Sequence, residues 1–302
     1  MHRDLPQRSL YQGELLMLTV FSDNVQIETN YLKFSDGAIT YKLDTLPENP
    51  RYITINVDPR TPVNEIREEL TVLLDAIGNF YQTSFCYFDT RKVLNIPYLP
   101  YARADRCFEK GNPEALNTFL HWVHSLQFDE VIARDVHNEE SLSGFIVKSL
   151  PQLKCFLSST PHTFQFDYDF VVAPDKGAMI KATTIADHHE CDIVFAGKTR
   201  DVSTGSITAF TLPDIDFEGR KVLIPDDICD GNYTFYGLAK ELKARGASQV
   251  DLYVTHMIGS KGLVNLEPYV DKIYYYHIVG GFLNGDDINA FNNRGRSLGS
   301  YT

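Results

Sequence analysis

Asp226 and Asp227 stand side by side after a short apolar run, Val222 to Ile224, in the stretch KVLIPDDICDGNYT (Lys221 to Thr234). Asp230, Gly231, Asn232, Tyr233 and Thr234 follow and lead into a helical pattern. Carboxylates repel phosphate, but they accept hydrogen bonds from sugar hydroxyls and bind divalent cations. The amides of a loop that opens a helix suit phosphate. One segment offering both chemistries fits a sugar phosphate held together with a metal ion. Taken singly, the paired acids read equally well as a turn and helix cap.

Further residues of the same kind lie upstream. His137 follows Asp135 at the end of a short apolar run, Asp175 sits in APDKGA, and Lys198 and Arg200 open the polar stretch KTRDVSTGS. Alone, His137 reads as a structural histidine and the two cations as a solvated loop. FSDG, Phe34 to Gly37, reads most simply as a hairpin turn.

The elements that must position these residues alternate. The N-terminal part reads as hairpin strands, MLTVFS, VQIETNYLKF and AITYKL. Val63 to Tyr81 reads as a helix, with Ile66, Leu70, Leu73, Leu74 and Ile77 at helical spacing. Lys92 to Tyr98 is an expected strand, Pro113 to Leu126 a helix, and Glu130 to Ala133 a buried strand delivering Asp135 and His137. A second series follows: strands Tyr168 to Val172, Cys191 to Ala196, Ser206 to Leu212, Lys221 to Ile224 and Val250 to Val254. Helices Lys176 to His188 and Tyr236 to Arg245 lie between them, the latter closed by Gly246. Such alternation predicts an α/β protein of two units, each a mainly parallel sheet flanked by helices. The polar stretch around Ser158 to Phe166 suggests units of 1–157 and 158–302, with a return of the extreme C-terminus onto the first unit as one arrangement.

The chain has 302 residues, 43% of them hydrophobic, enough for one large or two medium domains. No apolar run reaches spanning length, so no membrane segment is expected, and MHRDLPQRSL lacks the apolar centre of a signal peptide. Five scattered cysteines without CxxC spacing fit a reducing cytosol better than a disulfide framework or a zinc site. The net charge of -12 argues against a nucleic-acid partner.

Seven ordered segments together resemble the ribose-phosphate pyrophosphokinase (phosphoribosyl pyrophosphate synthetase) family: FSDG, PYLPYARADR, DVH, APDKGA, GKTR, PDDICDGNYT and YVTHMIGSKG. The resemblance runs from about residue 30 to 265. It implies two phosphoribosyltransferase-like units, the first on the adenine side of ATP and the second carrying the sugar-phosphate loop. It also implies transfer of the β,γ-diphosphate of ATP to the anomeric hydroxyl of ribose 5-phosphate, with Mg²⁺ as cofactor. Lys198, Arg200 and His137 become the expected catalytic residues. Phe34, Asp36, Arg103, Arg106 and His137 become the ATP contacts. Asp175, Asp226, Asp227, Asp230, Gly231, Asn232, Tyr233 and Thr234 become the acceptor contacts, and His137, Asp175, Asp226 and Asp227 the metal set. The FSDG loop of such proteins serves a neighbouring subunit, which implies a homo-oligomer with a dimer as minimum and a hexamer as one larger form.

Three departures stand out. The family's Glu after FSDG is Ala38, and the Gln of YARQDR is Ala104. Its DDxxDTxGT loop reads DDICDGNYT, with Gly231 for Thr and Tyr233 for Gly. This loop resembles a branch found in bacteria and phages beside NAD-salvage enzymes, some of whose phage members use ADP-ribose as acceptor. The expected acceptor is therefore ribose 5-phosphate or ADP-ribose. A non-catalytic regulatory homologue and a phosphoribosyltransferase are the alternatives. The latter would account for the diacid loop but not for FSDG, YAR and DVH.

Overall fold

The computed structural model describes residues 17–81, 89–160, 165–200 and 207–294. The chain opens with an antiparallel hairpin of β1 (Leu18–Ser22) and β2 (Val25–Ile27). β3 (Thr29–Lys33) and β4 (Ile39–Leu43) form a second hairpin, in a two-stranded sheet of their own. Next come β5 (Tyr52–Val57), α1 (Val63–Phe80), β6 (Arg91–Asn95), α2 (Ala115–Ser125), β7 (Glu130–Arg134) and β8 (Val147–Leu150). The first large sheet has the order β2-β1-β5-β6-β7-β8, and β5 to β8 run parallel.

The second half holds α3 (Gln152–Ser159), β9 (Phe170–Ala173), α4 (Met179–His188), β10 (Asp192–Phe195), β11 (Gly197–Arg200) and β12 (Ile207–Thr211). It continues with β13 (Lys221–Cys229), α5 (Tyr233–Ala244), β14 (Gln249–Met257), β15 (Lys272–Ile278) and α6 (Gly285–Asn293). Its sheet, β10-β9-β13-β14-β15, is parallel throughout. β11 and β12 pair separately as an antiparallel ribbon. The architecture is a mixed α/β fold with parallel sheets flanked by helices.

Burial explains the parallel order. Val222, Leu223 and Ile224 of β13, and Val250, Leu252 and Val254 of β14, are wholly buried. Strands covered on both faces read as continuous apolar runs, which is the pattern of central parallel strands. α1 buries Ile66, Leu70, Leu73 and Ile77 on one stripe. On the same helix Glu69 is buried and accepts a hydrogen bond from the Tyr41 hydroxyl at 2.9 Å. That contact draws β4, and with it the β3–β4 hairpin, onto α1.

Several sequence expectations change. VQIETNYLKF does not run as one strand but divides at Glu28 between two sheets. The strand expected over Lys221 to Ile224 continues to Cys229, so Asp226 and Asp227 lie on β13 rather than in a loop. α5 begins at Tyr233, earlier than expected. GKTR is strand β11, and the KTRDVSTGS stretch beyond Arg200 lies outside the described residues. The boundary expected at 157/158 falls inside α3, whose Phe156 packs with Val171, Leu223 and Tyr253 of the second half. The N-terminal ten residues and the extreme C-terminus, 295–302, also lie outside the described residues. Among the described residues no helix is long and apolar enough to cross a membrane.

Leu223 of β13 pairs with Val171 of β9 and has no exposed surface. Leu223→Ala should cost about 2–5 kcal/mol. In urea unfolding this appears as a lower midpoint at unchanged slope.

Candidate functional site

The site forms where the C-terminal ends of β7 and β13–β14 face each other across the two sheets. β7 ends at Arg134, and the next residue, Asp135, takes a left-handed backbone with φ of +41°. Its carboxylate accepts from the Thr255 hydroxyl of β14 and from Gln152 Nε2 of α3, the latter at 2.8 Å. His256 Nε2 donates to the Arg134 carbonyl at 2.9 Å. Burial holds the His256 pKa below its ordinary value, so this ring is the neutral tautomer with its proton on Nε2. These three bonds join the halves before any ligand is considered.

Turning out of that junction, the chain delivers His137 to Asp227. Nδ1 of His137 lies 2.7 Å from Asp227 Oδ2. The same oxygen faces Lys181 Nζ of α4 at 3.4 Å. Burial alone would raise the Asp227 pKa, but the His137 hydrogen bond and the Lys181 charge hold it well below the usual carboxylate range. The Asp227 hydrogen bond raises the His137 pKa against burial, which opposes it. Lys181 behaves alike: burial disfavours its charge, and the Asp227 and Asp135 carboxylates more than restore it.

Asp226, one residue earlier on β13, points elsewhere and makes no ion pair among the described residues. Burial, and then the Asp227 and Asp175 charges, push its pKa well above the ordinary value. Asp175 accepts from the Gly177 and Ala178 amides at 2.8 and 3.2 Å, which turns the chain into α4. Its other oxygen pairs with Lys198 of β11. On the far side Arg103 Nη2 meets Asp230 Oδ2 at 2.8 Å, and Ser260 donates to the other Asp230 oxygen.

The Asn232 side chain, expected among the acceptor contacts, is occupied within the protein. It donates to the Gly262 carbonyl and accepts from the Cys229 thiol at 3.0 Å, with the backbone at φ of +66°. Asparagine tolerates this left-handed geometry better than most residues. Tyr233 is the first residue of α5 and is 70% exposed, its ring lying alongside Gly231. Thr234 follows it in the first turn of α5. Arg106 lies outside the cluster, near Asp105 and over the Phe108 ring. Phe34 and Asp36 form the β3–β4 turn, closed by the Phe34 amide on the Ala38 carbonyl at 2.7 Å. Among the described residues no hydrogen bond or ion pair joins that turn to His137, Asp227 or Lys198. The Arg200 side chain lies outside the described side chains.

Lys181 was not among the expected site residues. A lysine beside the buried Ala182, Ile185 and Ala186 of an otherwise ordinary helix was its one visible signal. Among the described residues no group of three or more His, Cys, Asp or Glu side chains forms a metal cage. The expected metal set divides instead: His137 and Asp227 satisfy one another, while Asp226 lacks a cation and stands near Asp175. A divalent ion that keeps several waters needs only roughly one or two carboxylates. The uncompensated Asp226 with Asp175 fits that need.

The phosphoribosyl transferase domain family matches residues 156–278. The chain is 29% identical over 252 residues to the ribose-phosphate pyrophosphokinase of Pyrococcus furiosus, covering 83% of this chain and 84% of that one. It is 30% identical over 168 residues to that of Sulfurisphaera tokodaii, where the match spans only 56% of the relative's length. The structure resembles phosphoribosylpyrophosphate synthetase from Mycobacterium smegmatis with a TM-score of 0.66 at 20% identity, over 86% of this chain and 83% of that one. The two curated relatives are both named ribose-phosphate pyrophosphokinase, and the solved structure shares the fold. The pyrophosphokinase relatives carry the match across both sheets, whereas the phosphoribosyl transferase domain accounts for the second alone.

The His137–Asp227 pair sets a pH window for stability. The raised histidine contributes fully below its ordinary 6.5 and loses that contribution as pH rises through its higher folded value. The lowered aspartate contributes above its ordinary 3.8 and loses that contribution as pH falls. The gap in melting temperature between the protein and His137→Asn should therefore be widest between those two values. Thermal melts across pH 3 to 9 (about six steps) read this directly.

Proposed function

We propose that the protein is a Mg²⁺-dependent diphosphotransferase that moves the β,γ-diphosphate of ATP to the 1-hydroxyl of a ribose 5-phosphate moiety. The observation that carries this reading is the meeting of Asp226, Asp227, His137, Asp175 and Lys198 between two parallel sheets. Ligands of α/β proteins collect at the carboxyl ends of such strands.

In this reaction the 1-hydroxyl oxygen bonds to the β-phosphorus, the bond from that phosphorus to the AMP oxygen breaks, and the hydroxyl proton is released. Asp226 and Asp227 face the ribose diol, and the amides of Asp230 to Thr234, opening α5, take the 5-phosphate. His137 has Nδ1 committed to Asp227, which leaves Nε2 for a phosphate oxygen of ATP. Lys198 leaves Asp175 for the transferring group, and Arg200 acts beside it. The metal ion, when bound, supplies charge neutralisation at the phosphates. Arg103 and Arg106 bind the nucleotide from one subunit, while Phe34 and Asp36 reach the nucleotide of a neighbour. This makes a homo-oligomer, with a dimer as its minimum, the working form. The described cysteines are all free, in keeping with a cytoplasmic setting.

The acceptor is ribose 5-phosphate or ADP-ribose. Tyr233, 70% exposed beside the loop that takes the 5-phosphate, favours the longer acceptor, whose adenosine end offers a ring to stack on. The resemblance of DDICDGNYT to the NAD-salvage branch points the same way.

AMP formation from ATP, measured with each acceptor in turn, tests the reading. Acceptor-dependent AMP is the expected result; AMP formation that ignores both acceptors, or none at all, removes it. Turnover of ribose 5-phosphate with none of ADP-ribose removes the longer acceptor alone. Lys198→Ala should lower kcat by about 10²–10³ while the circular dichroism spectrum is unchanged. Near-normal turnover would take Lys198 out of its assigned role.

A further inference from the structure

Asp135 belongs to the DVH segment, yet it has no place among the contacts assigned to nucleotide or acceptor. It is 2% exposed, and its backbone holds a left-handed conformation that a residue with a side chain adopts at a cost. Both of its oxygens are used inside the protein. Oδ2 accepts from Gln152 and Thr255, and Oδ1 faces Lys181 Nζ at 2.8 Å.

Lys181 comes from α4, in the half of the chain that carries Asp227. Its ammonium donates to the Val136 carbonyl at 3.1 Å and lies 3.4 Å from Asp227 Oδ2. The ammonium thus donates to two acceptors and lies in ion-pair contact with a third group, so its position is held from three sides. Charges alternate along one line: Asp135, Lys181, Asp227, His137. Both cations that reach Asp227 do so at Oδ2.

We propose that Asp135 and Lys181 are positioning residues for the acceptor, acting through Asp227. Asp135 anchors Lys181 at the junction of the sheets. Lys181 then fixes Asp227 Oδ2, and the carboxylate presents Oδ1 in one orientation to the ribose diol. Without Lys181, Asp227 would keep only His137, whose side chain is 41% exposed and free to tilt with it. This inference rests on the reading of Asp227 as an acceptor contact. The competing account is that Asp135 and Lys181 only fasten the two halves together.

Gln152 separates these accounts, because it shares in holding Asp135 but does not touch Lys181. Steady-state kinetics with ATP and the better acceptor, alongside melting temperatures, are read for Lys181→Gln, Gln152→Leu and Lys181→Arg. Lys181→Gln should raise the KM for acceptor by about tenfold, the size expected when one well-placed hydrogen bond to the acceptor is lost. The KM for ATP should stay within about twofold. Gln152→Leu should lower the melting temperature with little change in either KM, and Lys181→Arg should recover part of the acceptor KM. Should Lys181→Gln fail to fold, Asp135→Asn, nearly isosteric, is expected to raise the acceptor KM by about threefold. An acceptor KM near that of the unmodified enzyme in the folded variant overturns the inference. So does an equal rise in Gln152→Leu at a matched loss of melting temperature. Unmodified enzyme that forms no acceptor-dependent AMP overturns the functional reading itself, and is told apart by needing no variant.

Discussion

The Asp227 carboxylate is the contact on which the site depends. It lies at the carboxyl end of one sheet, and it is met by His137 from the end of the other and by Lys181 from α4 of its own half. At 5% exposure, an ionised carboxylate with no partner would be expensive. The two cations make its charge tolerable, and the same requirement fixes how the two sheets approach. Asp135 and the neutral His256 complete the junction with bonds that carry less charge. A fold built from two parallel sheets could meet at many angles. Here the partners needed by one buried acid select among them.

The acids of the site do not share one state. Asp227 is held ionised by its neighbours, while Asp226, adjacent in sequence, is pushed toward its protonated form by burial and by the charges beside it. Because β13 continues through both residues, alternation sends their side chains to different surroundings. One acid is thereby satisfied by the protein itself and the other is left short of a cation.

Much of this was legible before the structure. The apolar runs of β13 and β14 and the helical spacing of α1 announced buried strands and an amphipathic helix, and both are present. Other elements have local signals of their own. Tyr52–Val57 alternates in burial as a strand should, and Asn284 with Asp287 forms a capping box at the start of α6. The extent of β13 was hidden because Pro225 and two aspartates look like the end of a strand. Site residues that stand in motifs were visible as candidates. Lys181 was not, because one lysine in a helix has no local pattern, and its meaning comes from residues 46 positions apart meeting in space.

The pairing of Lys198 with Asp175 and of Arg103 with Asp230 bears on how a ligand first arrives. Lys198 and Arg103, two of the cations assigned to phosphate, are already paired with carboxylates. The chain as a whole carries a net charge of -12. From these two cations an approaching anion therefore meets little attractive field at long range. Its capture is a short-range exchange of partners, in which each carboxylate must give up its cation to the newcomer. Association of this kind lacks the rate gain of electrostatically steered encounters.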